Sequence, residues 1–116
     1  MVEQIMNWYK KATSSVGLLE KATKCIEKAY KLIGKGQLNP SQHGRVPSFE
    51  FRDEADPRGT SYIQVYFNEY EDAIGVSKYY ENEFAHQEYG KDVKFPFNEV
   101  TCVQDIVSAV GRMESA

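Results

Sequence analysis

VPSFEFRDEADPRGTSYIQVYFN, running from Val46 to Asn68, reads as two β-strands joined by a turn. Phe49 and Phe51 alternate with Ser48, Glu50 and Arg52, and Ile63, Val65 and Phe67 alternate with Tyr62, Gln64, Tyr66 and Asn68. A period of two sends each set to one face of a sheet, giving one strongly apolar face and one polar face that bears tyrosines. Between the strands, Asp56-Pro57-Arg58-Gly59 supplies turn chemistry, with Pro presetting φ and Gly releasing the chain. An isolated hairpin is marginal in water, so the apolar face requires cover from elsewhere in the chain.

Upstream, two helical patterns offer that cover. Val2, Ile5, Met6 and Tyr9 recur at helical spacing over residues 2–12. Leu18, Leu19, Ala22, Cys25, Ile26, Ala29, Leu32 and Ile33 then form a broad apolar stripe over residues 17–33. Thr13-Ser14-Ser15 and Gly17 interrupt the first pattern, so the two segments are either a packed helical pair or one helix kinked at Ser15–Gly17. Gly34 and Gly36 stand where a helix ends. Residues 37–45, QLNPSQHGR, form a polar linker into the sheet.

Downstream, Glu69-Tyr70-Glu71-Asp72 reads as a second turn, and Ile74 and Val76 alternate with Gly75 and Ser77 in a third strand over about 73–80. Residues 81–90, ENEFAHQEYG, fit neither period well and are assigned a short helix. Val93, Phe95 and Phe97 alternate in a fourth strand, which Pro96 confines to an edge or cuts short. Thr101 followed by Gln104 matches a capping box, and Val103, Ile106, Val107 and Val110 place a helix with one buried face over residues 102–113. The expected fold is one α+β domain: helical residues 1–36, a linker, then a small antiparallel sheet of three to four strands with a C-terminal helix packed on it.

With 116 residues, the chain has room for one ordinary core. Hydrophobic residues at 41% and charged residues at 27% are those of a globular domain. No apolar run reaches the roughly 18 residues of a membrane span. The opening MVEQIMNWYKK carries no basic leader, apolar core and small-residue cleavage site, so no secretory signal is expected and a cytoplasmic location is. Cys25 and Cys102 both fall in helical patterns, where free thiols packed as small hydrophobes are expected in preference to a disulfide.

Charge is unevenly spread. Residues 1–35 hold seven Lys against Glu3, Glu20 and Glu27, a surplus of four, while the remainder holds seven basic against fourteen acidic residues, giving the net −3. An acidic chain without an Arg cluster lacks the basic footprint that nucleic-acid binding needs. Lys21, Lys24, Lys28 and Lys31 lie opposite the apolar stripe and read as its solvated side.

The polar face of the hairpin is the leading candidate site. Tyr62, Tyr66 and Tyr79, beside Gln64, Glu50 and Arg52, combine contact area with polar tips, the composition of protein interfaces. The opposing structural reading is that a helix covers this face too, which would bury Gln, Glu and Arg at a cost. Glu69, Tyr70, Glu71 and Asp72 add an acidic, aromatic turn, and the wider segment to Glu88 is acidic apart from Lys78. Such a surface suits a basic partner patch or simply keeps the sheet soluble.

Glu83 and His86 have the Glu-x-x-His spacing of carboxylate-bridged metal sites, but the motif occurs once, and His43 has no apparent companion. No metal or cofactor is therefore expected. There is no Gly-rich phosphate loop, no G-x-S-x-G elbow and no Cys-x-x-Cys, and no motif is specific enough to name a family. These features point to a non-enzymatic protein-binding module, a small inhibitor or immunity-type protein that occludes a partner's site. The alternatives are a small-molecule-binding domain, a homodimer built through an edge strand, and, with least support, a small enzyme using His86.

Overall fold

A computed structural model describes the backbone of residues 2–40, 46–54, 61–81 and 87–114, and the side chains of residues 17–40, 46–54, 61–80 and 90–114. The period-two stretch forms β2 (Ser48–Arg52) and β3 (Ser61–Asn68), the heart of an antiparallel sheet. β1 (Gln37–Asn39), β4 (Ala73–Glu81) and β5 (Gln87–Pro96) complete five strands that neighbour one another in chain order. α1 (Val2–Ile33) and α2 (Cys102–Met113) pack side by side on the face carrying Phe49, Phe51, Ile63, Val65 and Phe67. The architecture is α+β, as expected.

Its details differ in three places. Of the two alternatives for the N-terminal segment, the packed pair gives way to a single helix of 32 residues. Gly17 costs a helix only about 1 kcal/mol relative to Ala, a penalty too small by itself to end one. The sheet has five strands because Gln37–Asn39, assigned to the linker, pairs with β2 through Gln37↔Glu50, Leu38↔Phe49 and Asn39↔Ser48. The short helix assigned to 81–90 is overturned at both ends, since Glu81 ends β4 and Gln87–Gly90 open β5, while residues 82–86 lie outside the described residues. Register slips between Lys78 and Tyr79, so that Lys78 faces Lys91 while Tyr79 faces Tyr89, with Gly90 as the extra residue. That bulge breaks the alternation on which a sequence reading depends. Pro96 is the last residue of β5, at the sheet's edge, as its missing donor requires. The Asp56–Gly59 turn, His43, Glu83 and His86 lie outside the described residues.

The core joins Ala22, Cys25, Ile26 and Ala29 of α1 with Ile106, Ala109, Val110 and Met113 of α2 over the sheet's apolar face. Leu32, assigned to the apolar stripe, is instead 61% exposed, while its neighbours Tyr30 and Ile33 pack against the core. Burying each large side chain in this cluster is worth about 1.5–3 kcal/mol. Gly34 and Gly36 take left-handed φ of 73° and 96°, ending α1 and turning the chain into β1. α2 begins without the expected capping box. Thr101 has helical backbone angles, with ψ near −6°, and makes no side-chain cap bond; its Oγ1 donates to Asp105 Oδ2 at 2.8 Å instead. Asn98 Oδ1 accepts from the backbone N–H groups of Val100 and Thr101 at 2.9 and 3.2 Å.

Two features of the core depart from the expected chemistry. Cys25 and Cys102 are joined in a disulfide, with Cα atoms 6.3 Å apart. Helical spacing places each thiol on a buried face but says nothing of which helices lie together, and that adjacency decides the matter. Lys78, on the apolar face of β4, is fully buried, its Nζ 2.9 Å from the equally buried Asp53 carboxylate and 3.3 Å from the Met113 carbonyl oxygen, to which it donates. One ammonium thus ties the end of β2, the middle of β4 and the last turn of α2 together.

Candidate interaction face

The strand registers assemble the polar face rung by rung. Arg52 stands beside Tyr62 and Tyr62 beside Tyr79; in the next rung Glu50, Gln64, Ser77 and Asp92 follow one another across β2 to β5. Tyr66, Gly75 and Lys94 form the third rung. Both helices lie on the opposite side of the sheet, so among the described residues no helix covers this face. The expectation of an open, tyrosine-bearing face and the alternative of a second covering helix are separated here in favour of the first.

Two tyrosines lie flat across their neighbours. Tyr79, on β4, stacks against Tyr62 with ring centroids 5.4 Å apart and reaches over β3 to donate its hydroxyl to Glu50 Oε2 at 2.5 Å. Tyr66, on β3, crosses β4 at Gly75 and donates to Asp92 Oδ1 on β5 at 3.4 Å; Ser77 Oγ donates to the same oxygen at 2.7 Å. A Cβ on Gly75 would come within 2.2 Å of Tyr66 Cζ, so the absence of a side chain there is what lets the ring lie down. Each carboxylate of the middle rung, Glu50 on β2 and Asp92 on β5, thus receives a tyrosine hydroxyl from two strands away. A side chain held at both ends loses little freedom when a partner arrives.

This arrangement sorts the expected contact residues. Tyr79, at 8% exposure, is a buried support and offers a partner little surface. Tyr62, Tyr66, Gln64 and Glu50 are half-buried and Arg52 is exposed, so these five present the face to solvent. Glu69, Tyr70, Glu71 and Asp72 form the exposed β3–β4 turn at one end of that face, with Tyr70 99% exposed. Asn68 Oδ1 orders the turn by accepting the N–H groups of Tyr70 and Glu71 at 2.9 and 3.3 Å, and Asp72 adopts φ of 48°. Glu71 pairs with Lys94 at 3.5 Å. Face and turn meet at an open depression of about 320 Å³ lined by Val46, Tyr66, Phe67, Asn68, Glu69 and Tyr70. The structure therefore brings Tyr66 and the acidic turn together, and leaves Tyr62 and Arg52 at the other end of the face.

Sequence reasoning missed Gly75, Ser77 and Asp92, which hold the face flat. It also missed a second depression of about 400 Å³ on the helix side, between β5 and α2, where Val93, Phe95, Phe97 and Arg112 lie beyond the cover of the helices. The free edge of β5 carries Lys91 and Lys94, ends in Pro96 and holds the bulge at Gly90, all devices by which sheets resist pairing with another chain. Lys21, Lys24, Lys28 and Lys31 are exposed, and Lys21 pairs with Glu99 at 3.1 Å.

Among the described residues, no three His, Cys, Asp or Glu side chains are grouped to hold a metal ion, and no helix is long and apolar enough to cross a membrane. Compared with known proteins, the chain matches no family model, no curated protein and no solved structure.

Proposed function

We propose that the chain is a non-enzymatic protein-binding module, a small inhibitor or immunity-type protein that occludes a partner's functional site with the open sheet face and the acidic turn beside it. The observation that carries this reading is the pair of tyrosines pinned flat to Glu50 and Asp92 on a face that, among the described residues, no helix covers. Rigid aromatic surface with polar tips is what protein interfaces favour, because it gives contact area at small entropic cost. Glu69, Glu71 and Asp72 at its end would steer a basic partner patch into place. The Lys, Pro and bulge devices on the β5 edge count against a homodimer formed by extending the sheet. A small-ligand reading has one observation on its side, the depression between β5 and α2, whose volume of about 400 Å³ falls in the range of ligand sites.

The test is retention of a protein by the immobilised chain from a lysate of its native source. Binding is expected to weaken as ionic strength rises, because exposed charges are screened beyond about 10 Å at 0.1 M salt. The free chain is expected to be monomeric in light scattering; a concentration-independent dimer would instead support self-association.

A further inference from the structure

Cys25 and Cys102 are the only two cysteines of the chain, and they are joined in a disulfide. The bridge spans 77 positions of sequence, and all five strands fall inside the covalent loop it closes. It fastens the packed half of α1 to the first residue of α2, a helix of only 12 residues that no side chain caps at its start. We propose that this disulfide is a permanent latch of the working protein, and that the protein accordingly folds and acts in an oxidising compartment. The inference stands apart from any role of the outer sheet face.

Three observations carry it. A helix of 12 residues is marginal alone and depends on its tertiary contacts, so a covalent tie at its first residue acts where the helix is weakest. The cross-link restrains a long loop, the case in which a disulfide limits the unfolded chain most. Cys25 and Cys102 are 7% and 1% exposed, so an attacking thiolate has almost no access to either sulfur in the folded protein. That burial fits a bridge made once, and does not fit one cycled by reductants. Cytosolic thiol pools keep accessible cysteines reduced during folding, whereas oxidising compartments supply disulfide donors. In the closing step the two thiols give up two protons and two electrons. A disulfide donor takes them up by thiol–disulfide exchange and leaves as a dithiol, before α2 closes over the sulfurs.

The experiment has two arms. In the first, protein recovered from its native source under acid quench is unfolded, alkylated with iodoacetamide and weighed intact. No adduct before reduction and two after it are expected; two adducts without reduction would overturn the assigned compartment. In the second, wild-type protein is melted in its bridged form and after complete reduction, with thiols counted in each sample, which avoids the cavities that substitution would leave. Reduction is expected to lower Tm by about 10 °C or more, or to leave no folded state. An unchanged Tm with two free thiols counted would overturn the latch.

Discussion

The Tyr79 hydroxyl donates to the Glu50 carboxylate across an intervening strand, at 2.5 Å, with the Tyr79 ring laid against Tyr62 on the way. This contact links β4 to β2 on the face opposite the core, where a solvated sheet would ordinarily carry independent side chains. The outer face is therefore a built surface, with its own supports. Tyr79→Phe removes the hydroxyl and keeps the ring. It is expected to cost roughly 1.5–3 kcal/mol, the range for a hydrogen bond to a charged group. Urea titration would register a lower midpoint with an unchanged slope; an unchanged midpoint would mean the contact holds nothing.

Gly75 and Tyr66 should be coupled. In Gly75→Ala the new Cβ meets the Tyr66 ring, which must lift away from β4 and release Asp92. A loss of about 1–3 kcal/mol is expected, as for overpacking elsewhere. Tyr66→Ala in the same chain should recover much of that loss, so a double-mutant cycle would give an interaction energy well away from zero. Additive effects would contradict the close approach.

Lys78 is the most sensitive polar residue of the core. Lys78→Met leaves the Asp53 carboxylate buried without its ammonium partner, and such half-removed pairs cost about 3–5 kcal/mol. The variant is expected to be largely unfolded by circular dichroism at room temperature. Asp53→Asn added to Lys78→Met removes the stranded charge and should restore part of the stability.

Gly17 and Gly111 point the other way. Both sit within helices, and a Cβ at either would meet no atom within 4 Å. Gly17→Ala and Gly111→Ala are each expected to add roughly 0.5–1 kcal/mol by restricting the unfolded backbone. A rise in the thermal midpoint would show it; a fall at Gly17 would indicate that the helix is not continuous there.

The core strands were legible because Phe49, Phe51, Ile63, Val65 and Phe67 alternate without interruption, and α2 because Ile106 and Val110 repeat at helical spacing. β1 was not, since one inward residue, Leu38, is too short a signal. The start of β5 was hidden by the bulge at Gly90, which shifts the phase of the alternation. Lys78 was hidden because a lysine in a period-two pattern reads as the strand's solvated end, and its partner Asp53 comes from another strand's margin. The disulfide depends on helix adjacency, which no local pattern contains. For the site, parity alone put Tyr62, Gln64 and Tyr66 on one face. Which tyrosine presents itself and which supports depended on Glu50, Gly75 and Asp92, on three different strands, and so on register.

The most direct test of the outer face is a three-bait capture from the native source. The baits are wild type, Tyr62→Ser/Tyr66→Ser on the outer face, and Val93→Ser/Val100→Ser on exposed apolar positions away from it, each checked for folding. A protein retained by wild type and by the Val93/Val100 variant, but lost by the tyrosine variant, is the predicted result. Equal retention by all three baits, or no retained protein in any lane, would contradict the account.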